Sequence, residues 1–439
     1  MPHRSRQRRW LSLALAAATT TVAALATGCA SGTGDGGGGV TLTFAWWGND
    51  ARADLTTQAV RLFEKKHPGV TVRTSSMGYG GYVQKLATQA AGNNLPDVFQ
   101  LDYRQLAQYA RSDRLKPLDP YLREGTVRTK EFDPTLLHTG RYGNTQYALP
   151  MGEGTTGVPY DAKLFAKAHV PTPEPGWTWQ DWADAARKIS ALHLKGPGGA
   201  DIRGTSDVAG NEDMFEEWLR SRGKKLYASE KKLGFTAKDL ATFWTFTSGL
   251  RREGAAARAK DTAQATGPLE QTPMGRGLAA MDFSWDAPWL GFPAILGDSV
   301  HIAPVPTTKG RPGQYLKPSM LVSVARNSAH PQVAAQLVDF LLNDPEVGKL
   351  WGFDRSTPPN RRTAAAAGAA ATGPQKEIYE FQRRIRAYGV KAPPPAPAPA
   401  DVSLLNALGR QYQRVAFEEQ TPAEAARDLV AEMERELRS

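Results

Sequence analysis

Two adjacent tryptophans, Trp46 and Trp47, stand directly before Asn49 and Asp50, and a further acid and aromatic, Asp102 and Tyr103, follow a second apolar run. An exposed indole stacks on the apolar face of a sugar ring, while Asp and Asn exchange hydrogen bonds with its hydroxyls. Two neighbouring tryptophans at the end of a strand cannot both face one core, so at least one is expected at a rim. Residues Gly152-Glu153-Gly154-Thr155-Thr156-Gly157 match a dinucleotide fingerprint literally. They lack its context, because Val158-Pro159-Tyr160 follow where a helix would have to open beneath the phosphates; a glycine-built chain crossing near a ligand is the reading adopted. No G-x-S-x-G elbow, H-E-x-x-H pair or spaced cysteines are present, and the seven histidines are scattered. Hydrolysis of a glycoside needs only two carboxylates, which sequence spacing does not reveal, and Glu153 with Asp286 is the pair to consider for an anchored carbohydrate enzyme.

The elements around these residues predict an α/β fold. Val40 to Ala45 alternates apolar and polar positions among β-branched residues, as a strand does; Leu55, Ala59, Leu62 and Phe63 recur at helical spacing up to His67-Pro68-Gly69; and Val70 to Val72 reads as the next strand. This β-α-β unit implies parallel pairing. A helix over 80–92, a strand over 96–101 and a helix over 103–111 continue the pattern. On open α/β sheets ligands bind at the carboxyl ends of strands, which places Trp46, Trp47, Asn49, Asp50, Asp102 and Tyr103 at one rim. Helices are expected over 179–191, 213–222, 237–251, 332–342, 402–417 and 422–437, with a strand over 300–305. Proline-rich 393–399 reads as a surface crossing, and no solenoid repeat is visible. The 439 residues, 41% of them apolar, exceed what one core usually serves, so two lobes are expected.

The first 28 residues read as an export signal: Arg4, Arg6, Arg8 and Arg9 precede an uncharged run rich in Ala, Leu and Thr. The ending Leu25-Ala26-Thr27-Gly28-Cys29 resembles a bacterial lipobox, in which the thiol accepts a diacylglycerol before cleavage. Leu25 stands one place early for that pattern. Cys29 is the only cysteine, so no internal disulfide is possible. Glycine-rich 29–39 suits a tether between a lipid anchor and a folded body. Arg8-Arg9 leaves the twin-arginine and general secretory routes both open. Net charge falls from +10 to +6 once the signal arginines are removed, and no basic block interleaved with aromatics is present, which argues against a nucleic-acid partner.

An ordered series of strings resembles the extracellular solute-binding proteins of ATP-driven sugar importers, in the same broad cluster as maltodextrin-binding protein. The strings are TLTFAWWGNDARA with RLFEKKHPGVTV, LPDVFQLDYRQLAQYA, YALPMGEGTTGVPYDAKLF, PGWTWQDWADAA, AAMDFSW, KPSMLVSVA, AAQLVDFLLNDPEVGKLW and DRSTPPNRR. Together with the lipobox they resemble an actinobacterial member. The resemblance implies two lobes, 40–150 with 300–353 and 151–299 with 354–439, joined by crossings near 149–151, 293–302 and 351–357, with sugar held in the cleft between them. It implies ligand contacts at Trp46, Trp47, Asn49, Asp50, Asp102, Tyr103, Glu153, Trp285, Asp286, Ser319, Asp354 and Arg355, with Asn211, Glu212, Tyr79 and Tyr82 as further candidates. Arg355 has a structural alternative, an ion pair at a crossing. The SSMGYGGY stretch fits no sugar subgroup, and DRSTPPN replaces a more usual glycine-bearing turn. By resemblance the protein is a monomer without cofactor or metal. It is lipid-anchored at the outer face of the membrane and delivers sugar to permease subunits with a separate ATPase, without catalysis of its own. A binder of uronates, glycerophosphodiesters or peptides is the alternative.

Overall fold

The computed structural model describes residues 39–265, 269–390 and 401–438. The export signal, Cys29, the tether but for its last residue and the proline stretch lie outside the described residues. Strand β1 (Val40–Trp47) leads into helix α1 (Asp50–Lys66), and β2 (Val70–Met77) returns parallel to β1 in register from Val40↔Val70 to Trp47↔Met77. Helix α1 starts cleanly because the Asn49 side chain accepts from the Arg52 N–H, and it carries Asp50 in its first turn and Lys65 and Lys66 in its last, complementing the helix dipole. Helix α2 (Tyr79–Ala91) leads to β3 (Val98–Leu101), also parallel to β1.

From there the pairing changes sense. Strand β4 (Ala148–Asp161) runs for 14 residues, all but the last buried. Its first part pairs antiparallel with β7 (Leu316–Val324), and its last part pairs antiparallel with β6 (Val300–Ala303) and the short β5 (Ser284–Trp285). The seven strands form one sheet in the order β6-β4-β7-β3-β1-β2, with β5 on β4. Parallel pairing is thus confined to β1, β2 and β3, a smaller share than the opening β-α-β pattern suggests. One long strand threads the whole molecule, and each of its partners returns against it.

Four apolar clusters flank the sheet, and their membership divides the chain. On β1, Phe44 and Trp46 face one cluster with Val60, Phe63, Met151 and Trp351, while Ala45 faces another with Tyr82, Phe99 and Leu101, as strand alternation requires. The other two clusters are built from Val158, Phe215, Trp244 and Leu429, and from Ile302, Leu316, Phe353 and Phe381. The chain passes between the two pairs of clusters at 151–158, 316–320 and 351–353. Residues 300–316, expected with the first lobe, pack with the second pair, because β6 adds to the far end of β4 rather than to β7. Among the described residues no helix is long and apolar enough to cross a membrane.

Candidate functional site

Where the three chain segments cross, they are locked together by backbone contact and buried polar bonds. A Cβ on Gly152 would lie 1.7 Å from the Arg355 carbonyl oxygen, so only glycine allows the two chains to approach this closely. Ser319 Oγ donates to that same carbonyl at 2.7 Å. Glu153 and Thr357 exchange backbone hydrogen bonds at 2.7 and 3.1 Å. Asp286 is wholly buried: Oδ1 accepts from Ser356 Oγ at 2.7 Å, and Oδ2 accepts from Gln382 Nε2 at 2.5 Å and the Thr155 N–H at 3.1 Å. Burial pushes its carboxyl up to about 6, partly countered by those neutral donors. The Glu153 carboxylate is paired with Arg386; burial nevertheless leaves it raised.

The last crossing is pinned from α1. Arg52 Nε meets Asp354 Oδ2 at 2.8 Å and Arg52 Nη2 donates to the Asp354 carbonyl at 2.5 Å. Arg355, 2% exposed, pairs with the same carboxylate at 2.9 Å, donates to Thr56 Oγ1 and lies 3.9 Å over the Trp351 ring. Burial lowers its guanidinium to about 9. Of the two readings of Arg355, this geometry is the structural ion pair.

A second polar cluster joins the two pairs of apolar clusters. Arg104 follows β3 on the turn that begins at Asp102, while Asp213 lies in the first turn of helix α3 (Glu212–Ser221), capped by Asn211. Arg104 Nη2 meets Asp213 Oδ1 at 2.5 Å, and its Nε lies 3.5 Å from the Glu212 carboxylate. Lys317 Nζ reaches the same Asp213 oxygen at 3.2 Å, and Trp285 Nε1 donates to the other at 3.0 Å. The Tyr315 hydroxyl donates to Glu216 at 2.8 Å and stands 3.3 Å from Asp213. Lys317 also sits 4.2 Å from the centre of the Trp285 ring, within cation–π range. Burial alone would raise the Asp213 carboxyl; Arg104 and Lys317 reverse this and hold it well below the usual carboxylate range. Beside Arg104, the Tyr79 hydroxyl donates to Asp102 at 2.9 Å, and Trp47 packs edge-on against Tyr79 with ring centres 5.5 Å apart.

Several residues expected to face a ligand serve the fold instead. Trp46 is 1% exposed and packs on Phe44 in the core; it is Trp47, half-buried beside the exposed Tyr79, that lies at the rim. Tyr82 is buried, its hydroxyl donating to the Gln100 carbonyl at 2.6 Å, and Tyr103 is core. Asp286 has no exposed surface and its oxygens are taken by the crossing chains, so it presents nothing to a sugar and cannot serve with Glu153 as a catalytic pair. Asn49 and Asn211 are helix caps, and Glu212 lies beside Arg104. Asp50 is exposed at the start of α1. The glycine-rich string lies within the extended strand β4. Sequence reading missed Arg104, Asp213, Tyr315 and Lys317. The hints were adjacency alone: Arg104 follows the candidate Tyr103, Asp213 follows the candidate Glu212, and Lys317 stands two places before the candidate Ser319. Among the described residues no group of three or more His, Cys, Asp or Glu is placed to hold a metal ion.

The sequence profile of the family described as bacterial extracellular solute-binding protein matches residues 32–347. The chain belongs to this family. An extracellular solute-binding protein family 1 structure from Alicyclobacillus acidocaldarius is 28% identical with a TM-score of 0.67, over 91% of this chain and 99% of that one. At lower identity the likeness shows the fold, that of the periplasmic binding proteins. An oligogalacturonide-binding protein of Yersinia enterocolitica, solved with saturated digalacturonic acid, gives 21% and 0.77, and an ABC substrate-binding protein of Listeria monocytogenes, solved with cycloalternan, gives 18% and 0.77; each covers 91% of this chain and 99% of its own. Among curated relatives, the sn-glycerol-3-phosphate-binding periplasmic protein of Escherichia coli is 29% identical over 26% of this chain and 28% of its own length. A putative binding protein of Brucella abortus is 28% identical over 30% of this chain and 31% of its own. The match thus spans less than a third of either relative.

Proposed function

We propose that this protein captures a mono- or oligosaccharide between two lobes that close on it, and delivers it to the permease subunits of an importer driven by a separate ATPase. The lobes are the two groups of apolar clusters, and the three crossings are the hinge. The observation that carries this reading is the convergence, from both groups, of Tyr79, Asp102 and Arg104 with Asp213, Trp285, Tyr315 and Lys317. Aromatic faces and paired polar side chains are what a polyhydroxylated ring needs. Ligand stabilises the closed form through contacts with both lobes at once. Trp47, Tyr79, Asp102 and Trp285 are the ligand contacts we favour among those expected. The lipobox-like ending at Cys29 supports anchoring at the outer face of the membrane; by resemblance the protein acts there as a monomer of the maltodextrin-binding cluster in an actinobacterium.

The basic excess of the sequence and the partial likeness to an sn-glycerol-3-phosphate-binding protein favour a second reading, an acidic solute such as a uronate or a glycerophosphodiester. A thermal-shift screen of the purified protein over neutral sugars, uronates and glycerophosphodiesters separates them, since a solute bound by the folded form alone raises the melting temperature. A shift of several degrees from a neutral sugar that is recovered unchanged is the expected result. A flat response to every sugar with a shift from an acidic solute selects the second reading, and appearance of product overturns both.

A further inference from the structure

The polar cluster has an arrangement that its role as a sugar site does not require. Two cations, Arg104 from the first group and Lys317 from the β7 crossing, converge with the Trp285 indole N–H on one protein carboxylate, Asp213. Two fixed cations with an N–H and a nearby phenol are the donor set of an anion site. Here the anion is supplied by the chain itself. Asp213 also sits in the first turn of the ten-residue helix α3, where the unpaired backbone N–H groups favour negative charge.

We infer that Asp213 is a built-in counter-ion that sets the charge class of the solute. While its carboxylate holds Arg104 and Lys317, both cations are spent; a third, Arg220, is taken up by Glu216 at 3.8 Å, and the neighbouring carboxylates Asp102 and Glu212 repel a second anion. The site therefore accepts uncharged polyhydroxylated solutes and discriminates against carboxylate- and phosphate-bearing ones. Specificity of this kind is obtained by repulsion of the wrong partner as much as by attraction of the right one. The inference rests on the solute lying between the two lobes, as proposed above. It also explains why a chain whose fold resembles that of an oligogalacturonide binder need not share its acidic ligand.

The test is removal of the carboxylate. Asp213→Ser, which keeps a hydroxyl for the helix start and leaves room beside Arg104 and Lys317, and the isosteric Asp213→Asn are compared with the wild type by calorimetric titration of inorganic phosphate and of galacturonate, with galactose as the neutral partner. At low ionic strength both variants are expected to bind phosphate and galacturonate at least about tenfold more tightly than the wild type. The gain is expected to vanish when Arg104→Met is added. The Asn variant preserves shape and guards against a Ser variant that fails to fold. Unchanged anion affinity in a folded variant overturns the inference, as does a wild-type protein that prefers galacturonate to galactose. A wild type that ignores every sugar overturns instead the function proposed above, and the phosphate gain in the variants still decides the part played by Asp213.

Discussion

Asp213 and Asp286 are both buried carboxylates that meet several donors, yet their surroundings drive them in opposite directions. Asp286 lies where the chain crossings meet, and its partners are neutral: a hydroxyl, an amide side chain and a backbone N–H. Burial prevails there, and the carboxyl rises to about 6. Asp213 lies where the two groups of elements face each other, and its partners include two cations, which overcome the same burial and hold it ionised. Neutral donors make a joint whose geometry matters more than its charge, while charged donors make a site whose electrostatics a solute must contend with. On the inference drawn above, the crossings hold the geometry and the facing cluster selects the solute.

Substitutions sharpen this contrast. The largest loss is expected from Gly152→Ala, whose methyl would press into the Arg355 carbonyl: about 4 kcal/mol or more in urea unfolding, since neither backbone can retreat. Next comes Asp286→Ala, which leaves the Thr155 N–H and the Gln382 amide without their acceptor and is expected to cost about 3 kcal/mol, with no change in which solutes bind. If it altered solute charge preference instead, the division of labour between the two carboxylates would fall. Of similar size at most, and smaller at any pH below 6, is a pH dependence. The folded protein raises Asp286 from its ordinary 3.8 to about 6, so it holds this proton more tightly than the unfolded chain does. The group's contribution is fully present below about pH 4 and is lost as pH rises to about 6, worth up to about 3 kcal/mol at roughly 1.4 per pKa unit. Asp213, shifted the other way, contributes stability at neutral pH that is lost on acidification. The unfolding free energy of Asp286→Asn relative to wild type is expected to improve between pH 4 and 6. A parallel pair of pH profiles would show that Asp286 does not titrate there.

Much of the fold was legible because its signals are local. The alternation over 40–45, the helical spacing ended by His67-Pro68-Gly69 and the apolar run within 96–101 each report their own backbone state, and these elements appear within a residue or two of where they were expected, whereas β2, expected over 70–72, runs on to Met77. The boundary near residue 300 was not legible, since whether a short strand joins one end of β4 or the other depends on tertiary pairing alone. Nor was the fate of the tandem tryptophans: alternation guarantees that Trp46 and Trp47 face opposite sides, but not which side is covered by α1 and which meets Tyr79.

By its order of short strings the sequence determined the α/β class, the opening strands, many of the longer helices and membership in the solute-binding family. It could do so because secondary structure and family likeness are carried by residues near one another in the chain. The tertiary structure alone decided that Glu153, Asp286 and Arg355 belong to the joints and that Arg104, Asp213, Tyr315 and Lys317 belong together. Arg104 and Asp213 are more than a hundred residues apart. Only the path of β4 through the whole molecule, with β3 and α3 placed along it, brings their charges within hydrogen-bonding distance.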